Sequence, residues 1–267
     1  MESRSVAELW IYPIKSCRGI PVQQFTLDDR GPELDRRWML VDSAGQFMTQ
    51  REHPRMALID VALDAGDVLV SAPGMSVHSF DPDAADTARA CVVWNDTVEL
   101  QHVDDEIDQW FSDFLSVRCT LMRMPQSTAR IVDRTYSPSP RLVTLADAFP
   151  MLMIGTGSLD LLNEKLVARG QREVPMKRFR PNLVVSGTRP HEEDEWTSIR
   201  IGDVACSVVK PCARCAITTV DTRTGVQGKE PLRTLSEYRK VGSKVMFGQN
   251  VIHSGPGTLR VGDTVSF

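Results

Sequence analysis

Short β-rich runs, each closed by a turn signal, make up most of this chain, and no other feature restricts its fold as much. Residues 6–12, 37–42, 68–70, 91–94 and 98–100 are rich in β-branched and aromatic side chains. Ser43-Ala44-Gly45 ends the second run, and the Asn95-Asp96 step suggests a hairpin between the last two. Turn signals recur about every eight to twelve residues, the rhythm of a small barrel or sandwich.

Two segments change period. In 104–116, DDEIDQWFSDFLS, the residues Ile107, Trp110, Phe111, Phe114 and Leu115 share one helical face, and Asp104 and Asp105 supply a cap and acidic first-turn charge. This helix is expected to seal one end of a first unit, with a boundary near 122. The second begins at Ser158-Leu159-Asp160, packs through Leu161, Leu162, Leu166 and Val167, and closes at Gly170. Around it 182–186, 204–209, 216–220 and 259–267 read as strands. Ile201-Gly202-Asp203-Val204 and Val261-Gly262-Asp263-Thr264 read as hairpin turns. The expectation is a mainly β (α+β) protein with few helices, divided into domains at 1–122 and 123–267.

At 267 residues the chain can bury a sizeable core, and 42% hydrophobic with 25% charged residues is ordinary for a globular protein. A net charge of −4, from 31 basic and 35 acidic residues, gives no field that favours nucleic acid or an anionic membrane. The opening MESRSVAELW has no apolar signal region, and no apolar run of about 18 residues occurs. A cytoplasmic protein with no nucleic-acid or membrane partner is expected.

Six cysteines do not make a disulfide scaffold at this length. Two of them, Cys212 and Cys215, stand three residues apart in KPCARCAITTVD. Zinc would need two further ligands, and neither a second CxxC nor an HxxxH is present. A thiol redox pair belongs at a helix start, whereas 216–220 favours strand. A single thiolate on a metal cofactor suits the flanking Lys210 and Arg214, which favour thiolate over thiol. Two small hydrophobes at a strand end is the plain alternative. The residues alone leave these readings open.

The string from Lys210 to Asp221, with Gly225 after it, resembles the signature of MOSC domains, which are related to the C-terminal part of molybdenum cofactor sulfurases. Tyr12-Pro13-Ile14-Lys15-Ser16-Cys17-Arg18-Gly19 and Asp35-Arg36-Arg37-Trp38 resemble elements of the β-barrel domain that precedes MOSC in one subgroup. Phe179-Arg180-Pro181-Asn182, Phe247-Gly248-Gln249-Asn250 and Val261-Gly262-Asp263 are similar to further motifs of that subgroup. It contains the mitochondrial amidoxime-reducing component and the bacterial YcbX proteins.

The resemblance implies an N-terminal β-barrel domain followed by a β-barrel MOSC domain, and a molybdenum cofactor bound between them. Cys215 is then the catalytic thiolate ligand of a metal cycling between Mo(VI) and Mo(IV), with Cys212 nearby. Lys15, Ser16, Arg36, Arg180, Asn182 and Arg214 would hold the pyranopterin, since arginine forks match phosphate oxygens and an amide can serve a pterin edge. Ala146-Asp147-Ala148-Phe149-Pro150 resembles a segment that often reads A-D-G-Y-P; Phe149 lacks the tyrosine hydroxyl, and Asp147 is kept as a binding candidate. The implied activity is reduction of N-hydroxylated small molecules such as amidoximes and hydroxylated bases. The alternative is a cofactor carrier or sulfur-transfer protein. YcbX-type chains continue into a ferredoxin domain, but no C-x4-C-x2-C pattern occurs here. No iron–sulfur cluster is therefore expected in this chain, and a separate ferredoxin, flavin or haem protein would donate electrons.

Overall fold

A computed structural model describes residues 3–267. The protein is mainly β with few helices, as the turn rhythm predicts. Its largest sheet has nine strands. Across it run Val265–Ser266, Ser198–Ile201, Val204–Arg214, Lys244–His253, Met151–Gly155, Leu183–Ser186, Ser5–Ile11 and Ile20–Val22, with Lys240–Val241 paired to Lys244–His253 off that path. The first strand of the chain thus lies inside a sheet made mostly by the second half, between Leu183–Ser186 and Ile20–Val22, with Ser5 opposite Ser186 and Leu9 opposite Leu183. Met151–Gly155 and Leu183–Ser186 are parallel, and parallel neighbours need a crossover. Helix α2, Thr156–Ala168, lies within that crossover.

A four-stranded sheet orders Trp38–Val41, Thr120–Arg123, Asp96–His102 and Ala88–Val93. The last two form the expected hairpin, with Trp94-Asn95 as its two-residue loop because Asp96 pairs Val93. Helix α1, Asp105–Leu115, is capped by the Asp104 carboxylate, which accepts from the Ile107 N–H at 2.7 Å. It buries the five predicted apolar residues in one cluster with Trp38, Met56 and Phe80. That apolar face, more than helix propensity, holds so short a helix.

Three local expectations fail. Residues 216–220 do not form a strand: Ala216–Thr219 is a turn of 3-10 helix. The threonine hydroxyls cause this. Thr218 Oγ1 donates to the Cys215 carbonyl at 3.0 Å and Thr219 Oγ1 to that of Ala216 at 2.7 Å, which gives the backbone a local alternative to a ladder. The preceding strand instead runs on to Arg214. At 261–264 the bend joins two sheets rather than a hairpin, since Gly257–Arg260 pairs with Gln24–Asp28 and Val265–Ser266 with Ser198–Ile201. Val167 points out to solvent, and Leu162 and Leu166 anchor α2.

Candidate functional site

A cleft opens where the loops after Ser5–Ile11 and before Trp38–Val41 meet the ends of Met151–Gly155 and Val204–Arg214. Its walls include Lys15, Ser16, Arg36, Asp147, Arg180, Asn182 and Arg214, all of them sequence candidates. Cys212 lines it as well. Cys215 is half-buried one residue beyond Arg214, with extended backbone at the start of the 3-10 turn, and is not one of the lining residues.

Three of these residues hold left-handed backbone: Ser16 at φ 68°, Arg36 at φ 48° and Arg180 at φ 57°. Non-glycine residues rarely adopt that region, and such strain concentrates at functional sites. Backbone hydrogen bonds hold two of them there. The Arg36 N–H donates to the Tyr12 carbonyl at 2.8 Å, and the Arg180 N–H to that of Lys177 at 3.2 Å as the Met176–Phe179 turn ends. Both guanidinium groups then lie on one ring, with Arg36 Cζ 4.3 Å and Arg180 Cζ 4.2 Å from the Tyr12 centroid. Gly19 packs against the ring edge, where a Cβ would meet Tyr12 Cε1 at 2.4 Å. Tyr12 is buried and donates to the Pro181 carbonyl at 3.1 Å; burial holds its phenol above the usual tyrosine range despite the two arginines.

Behind Arg36 sits Asp35, fully buried, 2.6 Å from Arg36 Nη1. Its other oxygen accepts from the Tyr12 N–H and from Asn182 Nδ2. Asn182 is buried and its amide is engaged at both ends: Oδ1 accepts from Arg36 and Leu152, and Nδ2 also donates to the Trp10 carbonyl. It is a strut between the two halves of the chain. Arg180 Nη1 reaches the Cys17 carbonyl at 2.5 Å; burial, then Arg36, pulls its guanidinium down to about 10, still charged at neutral pH.

Lys15 is buried and donates to the Leu145 carbonyl at 2.8 Å and to Asp147 at 2.7 Å. Burial pulls its ammonium down to about 8, with Asp147 offsetting only part of that. Desolvation works against the Asp147 carboxylate, but Lys15, then Arg51 and the Trp94 N–H, hold it well below the usual carboxylate range. Arg214 donates to Cys212 Sγ at 3.0 Å and to the Phe179 carbonyl at 2.5 Å, while its Nε is buried with no partner.

Sequence reasoning missed three contributors. Arg51 lines the cleft and Trp94 donates to Asp147, and nothing local in the sequence marks either. Arg130 ties the carbonyls of Thr144, Ala146 and Asp147 together and so shapes the loop under Lys15. Tyr12 and Asp35, by contrast, lie inside motifs already singled out.

Five cations (Lys15, Arg36, Arg51, Arg180 and Arg214) and one carboxylate, Asp147, face this cleft. With a soft thiol at its edge and an unpaired guanidinium N–H in its wall, it suits a group bearing phosphate and a thiolate-seeking metal. No histidine lines it. Among the described residues a His/Asp cluster with metal-ligand spacing, His102 with Asp105 and Asp108, lies at the start of α1 instead.

Residues 3–118 match the MOSC N-terminal beta barrel domain and 140–266 the MOSC domain. The chain is 34% identical to human mitochondrial amidoxime-reducing component 1 over 98% of its own length and 82% of that protein. It is likewise 34% identical to mitochondrial amidoxime reducing component 2 of Rattus norvegicus, with the same coverage. Molybdenum cofactor sulfurase of Oryza sativa subsp. japonica is 31% identical over 89% of this chain, which spans 31% of that longer protein.

Proposed function

The chain belongs to the family of MOSC-domain proteins that includes the mitochondrial amidoxime-reducing components, and from that premise we propose that it is a molybdenum cofactor-dependent reductase of N-hydroxylated compounds. The observation that carries the reading is the cation-lined cleft between the two matched regions, with the Cys212–Cys215 pair at its edge. Cys215 is the thiolate that would bind the metal. Lys15, Ser16, Arg36, Arg180 and Arg214 would hold the pyranopterin and its phosphate. Asn182 keeps Arg36 in place through Oδ1, and Asp147 does the same for Lys15. When bound, the cofactor supplies a two-electron couple. Two electrons and two protons turn an N–OH group into N–H and water.

The chain's own groups bind and orient. Arg214 is tied to the Phe179 carbonyl and to Cys212 Sγ, which fixes the backbone just before Cys215. A separate ferredoxin, flavin or haem protein in the cytoplasm would deliver the electrons. The second reading, a cofactor carrier or sulfur-transfer protein, is favoured by the partial match to molybdenum cofactor sulfurase and by a second thiol, Cys212, in the wall.

Paired serine variants separate the readings. Cys215→Ser should fold normally and lose molybdenum-dependent reduction, while Cys212→Ser keeps most of it. Equal and complete loss in both variants would favour two-thiol chemistry and count against the proposal.

A further inference from the structure

The rim of the cleft carries a layered wall beside the proposed cofactor cradle. Trp94 sits in the two-residue loop between Ala88–Val93 and Asp96–His102, with left-handed backbone at φ 58°. A bulky side chain is a genuine outlier there. Trp94 is 39% exposed. Three contacts fix it. Phe47 packs tilted against it with centroids 4.9 Å apart, the Arg51 guanidinium lies 4.6 Å from the ring centroid, and Nε1 donates to Asp147 Oδ1 at 3.2 Å. Arg51 Nη2 also lies 3.7 Å from the other Asp147 oxygen. Of the three, Arg51 is the one that lines the cleft, with Trp94 against it and Phe47 against Trp94.

A guanidinium backed by an indole is a flat, preorganised, weakly hydrated plate on which delocalised molecules stack. It also carries positive charge, in a cleft whose five cations outnumber its one carboxylate, Asp147. A neutral planar molecule gains from the plate, whereas a cation of the same shape is repelled by it. Amidoximes are planar and neutral near pH 7; the amidines they become are protonated. We propose that the Arg51–Trp94 pair is the substrate-facing wall of this cleft, selecting flat, neutral N-hydroxylated molecules and disfavouring the cationic product. This rests on the reductase reading for the identity of the substrate, while its physical content is a binding preference.

The test is a calorimetric titration of the holoprotein with three probes: benzamidoxime, the small acetamidoxime, and benzamidine as the cationic product. Arg51→Gln should weaken benzamidoxime about tenfold and tighten benzamidine. Trp94→Gly, which suits the φ of that position, should weaken benzamidoxime by a similar factor and change acetamidoxime less than twofold. Trp94→Phe keeps a ring but loses Nε1, and should stay within about threefold of the parent for benzamidoxime. Unchanged benzamidoxime affinity in Arg51→Gln and Trp94→Gly, a parallel loss of acetamidoxime, or no benzamidoxime binding by the parent would overturn the proposal. Turnover of benzamidoxime with reduced viologen is recorded separately. Binding with the expected preferences but no turnover would remove the reductase reading and leave the wall standing.

Discussion

Arg36 donates through Nη2 to the backbone carbonyl of Arg180 at 3.3 Å, so two residues 144 positions apart in sequence are joined directly across the cleft. Both adopt left-handed backbone and both press on Tyr12. The cradle is therefore one unit, although its parts come from opposite halves of the chain.

Alanine at the two arginines should have different consequences. Arg180 has a backbone carbonyl as its side-chain hydrogen-bond partner, so on the proposed reading Arg180→Ala mainly removes a charged contact to the cofactor. A contact worth about 1.5–3 kcal/mol corresponds to roughly ten- to hundredfold in retention. Arg36→Ala should lose retention by a similar factor and also strand the fully buried Asp35, at about 3–5 kcal/mol of stability. Molybdenum content and denaturant midpoints of the two variants check this.

Lys15 gives the site a pH limit. Its ammonium titrates at about 8, below the usual lysine range of about 10.4. The charge that would attract the proposed cofactor's phosphate is present below pH 8 and is lost as pH rises through that value. Cofactor retention should fall above pH 8 by at most about tenfold per pH unit, and Lys15→Arg should flatten the fall. Stability moves the other way: the folded state sheds this proton more readily than the unfolded chain, so the buried ammonium costs stability at neutral pH and the cost is relieved as pH rises from about 8 to about 10.4. Retention assays and thermal melts between pH 7 and 10 check both signs.

The α1 cap offers a test outside the site. Asp104→Ala removes the carboxylate that accepts from the Ile107 N–H and should cost about 1 kcal/mol, read as a shifted denaturant midpoint with the cofactor content unchanged.

What could be read from the sequence was what depends on short range. The apolar face of α1, the Gly202 hairpin turn and the β-rich runs follow from local periodicity and turn chemistry. The pairing of Ser5–Ile11 with Leu183–Ser186 does not, because strand partners 181 residues apart leave no local trace. The 3-10 turn after Cys215 was missed because β propensity outweighed the capacity of Thr218 and Thr219 to bond their own backbone. Lys15, Arg36, Arg180 and Arg214 were found through motifs, and the cleft brings them together. Arg51, Trp94 and Arg130 lie outside those motifs; their roles come from where the hairpin and the 144–147 loop place them.

The central claim is most directly tested by the reductase assay of freshly purified protein whose molybdenum and pterin have been measured. The account expects molybdenum near one per chain, reduction of benzamidoxime when reduced viologen is the electron source, and no reduction with pyridine nucleotide alone, because on this account a separate donor protein supplies the electrons. Zinc in place of molybdenum, or rapid turnover with the nucleotide alone, would contradict it.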